Sequence, residues 1–217
     1  PELLASDAML DQIEEARVVG EDFVRALGVL PNEYLYYYWR TEEATARIRE
    51  ADETRGEYLA RRQDAFYGRV AEAASPLTAW REALHEREST YMAEARDEER
   101  REEDVAGGGY QEVALRLMNA LATGRSERMI LDVGNLTPSG RIVPELPDDL
   151  VLEVGCVVDG EGVHPLPIAP LTLAQLGMMA RLRASEKAIA DAAATRSRDK
   201  AWEGFAIHPL VDSPRLG

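Results

Sequence analysis

The sequence is poor in the residues that build the commonest single-chain chemical sites. Of 217 residues, one is a cysteine, Cys156, and three are histidines, His85, His164 and His208. A lone cysteine cannot close an internal disulfide, which suits a reducing compartment. No histidine has a second histidine, a cysteine or a carboxylate at ligand spacing, and His164 and His208 each precede a proline in loop-like sequence. A zinc or iron site built from this chain alone is therefore not expected. There is no G-x-S-x-G and no cysteine with a histidine partner to suggest a covalent nucleophile. No G-x-G-x-x-G follows a strand, so no dinucleotide-binding fingerprint is visible. No apolar run is long enough to span a bilayer, and no basic segment leads into an apolar one at the start. Bases are also in deficit: 25 Lys and Arg stand against 40 Asp and Glu, giving a net charge of −15 and a pI of about 4.7. Such a surface repels phosphate backbones and argues against nucleic acid as a partner. Carboxylates this numerous make any one acid pair uninformative. The chain opens on Pro1-Glu2-Leu3-Leu4 without a methionine, and the expectation is a piece of something longer.

What remains is 45% apolar, enough for one large domain or two small ones. Aromatic residues make up only 6% of the chain, yet four of the eight tyrosines fall in Tyr34-Leu35-Tyr36-Tyr37-Tyr38. A helix starting near Asn32 would put Tyr34, Tyr37 and Tyr38 on one face. That face is either core or the carrier of a phenol that transfers protons. Upstream, residues 6–27 read as helix with an interruption near Gly20, and Gly28 sits where a C-terminal glycine belongs. Thr41-Glu42-Glu43 opens another helix. Thr54 and Glu57 have capping-box spacing, which puts Arg55 at the first helical position. A guanidinium beside free N–H groups can form an anion site; a surface arginine paired with an acid is the alternative. That helix runs to about Ala74, and Leu77, Trp80, Leu84 and Tyr91 start a further stripe. From Glu94 to Asp104 the pattern dissolves into charge, as in a solvated helix end or mobile connector. Gly107-Gly108-Gly109 either lets backbone approach a ligand or acts as a hinge. After a helix ending at Gly124 the period changes. Met129–Val133 and Leu150–Val158 read as strands, with Arg141–Val143 pairing back. Thr172 caps a long helix to about Ala194, and Ser197–Ile207 is a last short one. The pattern predicts an α+β fold, mainly helical, with a small antiparallel sheet over about residues 127–163.

Several segments also form an ordered series: Leu27-Gly28-Val29-Leu30-Pro31 with Tyr34, Tyr37 and Tyr38; Thr54-Arg55-Gly56; Gly108-Gly109-Tyr110; Asn135 with Gly140; Leu146-Pro147-Asp148-Asp149 with Val151 and Glu153; His164-Pro165-Leu166-Pro167; and His208-Pro209-Leu210-Val211. The series resembles the C-terminal domain of glycoside hydrolase family 4, in its 6-phospho-β-glucosidase branch, from about residue 20 onward. The resemblance implies one C-terminal domain over residues 1–217, similar in fold to the C-terminal domains of lactate and malate dehydrogenases, without the N-terminal Rossmann domain. The implied activity of the full-length enzyme is hydrolysis of 6-phospho-β-glucosides by redox elimination. NAD takes a hydride from C3, a base removes the C2 proton, the leaving group departs, water adds and the hydride returns. The implied cofactors are NAD and Mn²⁺, with the metal's Cys and His ligands N-terminal to this region. Tyr34 matches the family's catalytic base, and Arg55 an arginine beside the substrate. Gly108 and Gly109 match a glycine pair expected near the substrate. The substrate would be a phosphorylated disaccharide or aryl glucoside, cleaved in the cytoplasm by a homodimer or homotetramer. This chain alone is expected to be inactive. Two departures stand out: Gly140 to Leu146 is one residue longer than the family spacing, and the segment from Leu84 to Asp104 is long and highly charged. Two rivals are an α-glucosidase or α-galactosidase of the same family, and a non-catalytic helical module using its tyrosines as interface anchors.

Overall fold

The computed structural model describes residues 2–96, 98–105 and 109–216. The fold is mainly helical with a small antiparallel sheet, and it divides into two compact units, Pro1–Gly107 and Gly108–Gly217.

The first unit is all helix. Residues 6–27 form three pieces, α1 (Asp7–Leu10), α2 (Glu14–Val19) and α3 (Glu21–Leu27). The sequence foresaw the break near Gly20 but not the earlier one between Leu10 and Glu14. Gly20 has φ 107° and Gly28 φ 72°, backbone geometries that cost a side-chain-bearing residue but not glycine. Then come α4 (Leu35–Trp39), α5 (Thr41–Glu50), α6 (Arg55–Val70) and α7 (Pro76–Ser89). The Thr54–Glu57 capping box is present, with each backbone N–H bonded by the other residue's side chain. The core collects Leu10, Val19 and Val24 around Tyr36, with Tyr37, Trp39 and Tyr91 packed against it. Each fully buried aliphatic chain there contributes about 1.5–3 kcal/mol.

The charged stretch from Glu94 to Asp104 is not a free connector. It holds a 3₁₀ turn (Ala93–Ala95) and α8 (Glu102–Val105). Arg96 and Arg100 both reach Glu14 of α2, Arg101 chelates Asp11, and Arg17 pairs with Asp104. Charge without periodicity here encodes long-range pairing rather than solvation.

The second unit begins with α9 (Tyr110–Thr123) and continues into β1 (Glu127–Gly134), β4 (Val151–Asp159) and β5 (Gly162–Pro165), in sheet order β1-β4-β5, all antiparallel. The register pairs Met129 with Cys156 and Leu131 with Val154. On β4, Leu152, Val154, Cys156 and Val158 turn inward, as the two-residue period requires. Ala120 of α9 covers one end of that face, and Leu176 and Met179 of α10 (Leu173–Thr195) cover the other. Helix α11 (Arg198–Ile207) lies along α10. The return strand is shorter than its sequence reading: only Gly140–Arg141 (β3) pairs, with Leu136–Thr137 (β2).

Asn135, fully buried, organises the loop between these strands. Its Nδ2 donates to the carbonyls of Val143, Leu146 and Pro147, each at 3.0 Å, and its Oδ1 accepts the Val143 N–H at 2.8 Å. No apolar side chain can replace that set. Asn135→Ala is expected to lower the stability of this unit by about 3 kcal/mol, because several buried polar groups lose partners together. Urea unfolding followed by Trp202 fluorescence measures it, and a loss below about 1 kcal/mol would mean that the loop holds itself.

Candidate functional site

The tyrosine stretch begins on Pro31-Asn32-Glu33. The Asn32 side chain accepts the Tyr34 backbone N–H at 2.9 Å, an Asx turn that delays the helix. Helix α4 therefore starts at Leu35, with Tyr34 as the residue before it. Tyr36 is the fully buried tyrosine, Tyr37 and Tyr38 are half-buried, and Tyr34 is 53% exposed. The sequence reading put Tyr34, Tyr37 and Tyr38 on one face and overlooked Tyr36.

Glu94 ties this stretch to the rest of the site. The Tyr37 hydroxyl donates to the Glu94 carboxylate, and the Tyr36 hydroxyl reaches the Glu94 carbonyl at 3.5 Å. Burial pushes the Tyr37 phenol well above its ordinary range, and the bond to Glu94 adds to this, so Tyr37 is a fixed donor. Arg47 of α5 donates to the Glu94 carbonyl at 3.4 Å and to the Arg96 carbonyl at 3.3 Å.

Beside Glu94 lies a cavity of about 520 Å³ whose wall includes Arg47, Thr54, Arg55, Tyr58, Thr90 and Glu94. It sits at the N-terminus of α6, where free N–H groups and the helix dipole favour an anion. The Arg55 guanidinium donates to Thr90 Oγ1 at 2.8 Å and to the Arg87 carbonyl at 2.9 Å, and lies 5.3 Å from the centre of the Tyr58 ring. It thus caps the end of α7 as well as lining the cavity. Among the described residues no carboxylate forms a salt bridge with it, unlike the surface ion pair that was the alternative reading, although Glu53 and Glu94 line the same cavity. A larger groove of about 850 Å³ runs between α6 and α7 past Phe66, Tyr67 and Trp80, but holds none of the candidate residues.

Of the four expected site residues, Tyr34 and Arg55 lie in the first unit, Arg55 in the wall of the cavity and Tyr34 at the start of α4. Gly109 precedes α9 in the second unit; its φ of −92° is open to any residue. Gly108 lies outside the described residues. Sequence reasoning missed Glu94, Thr90 and Arg47, and took Tyr91 for a member of an apolar stripe.

Among the described residues no group of three His, Cys, Asp or Glu side chains could hold a metal ion. His85 faces Glu102 at 3.8 Å, His164 faces Asp159 at 3.2 Å, and His208 accepts the Leu210 N–H at 3.1 Å. Cys156 is buried in β4, and that burial raises its thiol pKa, as befits a small core residue. These residues do not fit the Mn²⁺ that the family resemblance implies. No helix among the described residues is long and apolar enough to cross a membrane.

Comparison with known proteins adds the family. A probable 6-phospho-beta-glucosidase of Bacillus subtilis (strain 168) is 26% identical over 192 residues, covering 88% of this chain and 39% of the relative. A maltose-6'-phosphate glucosidase of the same strain is 31% identical over 100 residues, covering 46% and 21%. The 6-phospho-beta glucosidase of Thermotoga maritima, solved with NAD and glucose-6-phosphate, superposes with a TM-score of 0.68 at 20% identity over 94% of this chain and 43% of that one. A 6-phospho-alpha-glucosidase from gut microorganisms, solved with NAD and Mn²⁺, gives 0.62 at 20% identity over 90% and 39%. The chain thus spans less than half the length of these relatives, and the structural likeness concerns the fold. The family 4 glycosyl hydrolase C-terminal domain matches residues 1–211, and the chain belongs to that family.

Proposed function

We propose that this chain is the C-terminal, substrate-facing part of a glycosidase that cleaves 6-phospho-β-glucosides. The observation that carries the reading is the arrangement around Glu94: a tyrosine cluster on one side, and an anion-competent cavity with Arg55 and Arg47 on the other. Family membership supplies the reaction class, and the relative that matches most of the chain supports the β-linked substrate. In this reading Tyr34 moves a proton at the sugar. Arg55, backed by the α6 N-terminus, neutralises the substrate's phosphate or an oxyanion. Tyr36 and Tyr37 hold the tyrosine helix against the core. Gly108 and Gly109 are assigned to the substrate side on the motif match alone. NAD and Mn²⁺ accompany relatives of this family, and the described residues offer the metal no ligand set. Both groups are therefore assigned to the remainder of the complete enzyme. A homodimer or homotetramer acting in the cytoplasm completes the proposal.

The test is substrate profiling of the complete enzyme on α- and β-linked aryl 6-phosphoglucosides and their unphosphorylated counterparts. The expected profile is β-linked and phosphate-dependent, and a preference for the α-linked compound would move the protein to the α-glucosidase branch. Arg55→Ala is expected to raise KM for the phosphorylated substrate about tenfold or more, with a smaller effect on the unphosphorylated one. Unchanged kinetics would reduce Arg55 to the cap of α7.

A further inference from the structure

Arg55 sits in a chain of 40 acids and 25 bases, yet among the described residues no carboxylate forms a salt bridge with it. Its neighbours on α6 behave differently. Arg61 chelates Glu53 through Nε at 3.2 Å and Nη2 at 2.5 Å, and Arg62 pairs with Glu86 of α7. Acids are at hand for Arg55 as well, because Glu53 and Glu94 line the wall of the same cavity. A flexible guanidinium that closes onto a carboxylate has little charge left for an anionic ligand.

The end of α7 holds Arg55 instead. Thr90 is the residue just past that helix, and its backbone N–H still bonds the Glu86 carbonyl at 3.2 Å. Its hydroxyl lies 2.8 Å from the same carbonyl and 3.2 Å from that of Arg87, and donating to either spends its hydrogen inside α7. Oγ1 is then left with lone pairs, and it accepts Arg55 Nη1 at 2.8 Å. The Arg87 carbonyl accepts Arg55 Nη2 at 2.9 Å. Carbonyls at a helix C-terminus carry partial negative charge, so they suit a cation without cancelling it as a carboxylate would. The Tyr58 ring, 5.3 Å from the guanidinium, adds a further favourable contact. Threonine is stiff at χ1, which suits it to fix a direction. The competing acids are engaged elsewhere: Glu53 by Arg61, and the Glu94 carboxylate by the Tyr37 hydroxyl. The bonds to Thr90 and Arg87 use only part of the guanidinium fork, and the rest is left for a ligand.

We propose that Thr90 is a positioning residue for Arg55: its hydroxyl fixes the guanidinium to the end of α7, out of salt-bridge contact with Glu53 and Glu94, and so keeps its charge available to the anionic group of the substrate. The inference rests on the reading of Arg55 as the residue that meets that group.

The experiment uses the complete enzyme and its Thr90→Val, Thr90→Ser and Arg55→Ala variants. Binding of glucose 6-phosphate and of glucose is measured directly by calorimetry, so the result does not depend on which glycosidic linkage the enzyme cleaves. Thr90→Val keeps the branched shape and removes the hydroxyl. It is expected to weaken glucose 6-phosphate binding by about three- to tenfold and to leave glucose within about twofold of the parent. Thr90→Ser keeps the oxygen and should bind glucose 6-phosphate within about twofold of the parent. Thr90→Ala should match Thr90→Val, and it serves if the valine variant does not fold. A merely structural role would weaken both ligands alike, so an unchanged ratio of the two affinities overturns the proposal. A serine variant as weak as the valine variant overturns it too. Arg55→Ala separates the two claims. If it binds glucose 6-phosphate as the parent does, the Arg55 assignment fails and takes this inference with it. If Arg55→Ala loses affinity while Thr90→Val matches the parent, only the positioning fails.

Discussion

Tyr34→Phe in the complete enzyme is expected to lower kcat by about a thousandfold, with KM for an aryl 6-phospho-β-glucoside within a few-fold of the parent. The size follows from what is removed. Phenylalanine keeps the ring and loses only the oxygen, and a positioned acid or base is worth about a hundred- to ten-thousandfold in rate. The split between kcat and KM follows from the site. In the proposed reading the substrate's charge is met by Arg55 at the α6 N-terminus, in a cavity whose wall does not include Tyr34, so ground-state binding should not depend on the phenol. Stability should not confound the result. Tyr34 is 53% exposed and lies outside the core cluster, so the variant should unfold within about 0.5 kcal/mol of the parent. Steady-state kinetics beside a urea titration of each protein make the measurement. Turnover within a few-fold of the parent would exclude Tyr34 as the base and return the stretch to the packing role that its spacing first suggested.

Features written in local chemistry were legible in the sequence. The capping box at Thr54, the cap at Thr172, the glycine ending α3 and the strand at β4 each depend on residues within a few positions of one another. What depended on distant partners was not. Arg96 and Arg100 find Glu14 across 82 and 86 positions, and Arg101 finds Asp11 across 90. No periodicity marks such a pairing, so the segment read as solvent-facing charge. The tyrosine face failed for a smaller reason. Spacing put Tyr34, Tyr37 and Tyr38 on one face but did not say which ring is buried deepest, and that ring is Tyr36. The candidate site was half legible: Tyr34 and Arg55 stood out through the order of the motifs. Tyr91 and Glu94 did not, since one sat in an apolar stripe and the other among eleven positions of mostly charged sequence from Glu94 to Asp104.

The stretch that was hardest to read carries the largest expected loss of stability. The Glu14 side chain is 15% exposed and bridges two guanidiniums that are each 12% exposed. Arg100 grips it through two bonds, at 2.8 and 2.7 Å, and Arg96 through one at 2.7 Å. Burial pulls the Arg96 pKa down, and Glu14 is the leading charge acting against that pull. The Arg96 Nε is already buried without a partner, so little spare hydrogen bonding remains. Glu14→Ala leaves two poorly hydrated cations facing each other and should lower the stability of the first unit by about 3–5 kcal/mol. Urea unfolding read through Trp39, which packs edge-on against Phe23 in the same unit, would register it. Asp11→Ala is the control. Its pairing with Arg101 is bidentate but at the surface, where screening and side-chain entropy cancel most of the gain, so its loss should be far smaller. Equal losses would mean that the number of ion pairs matters here and burial does not.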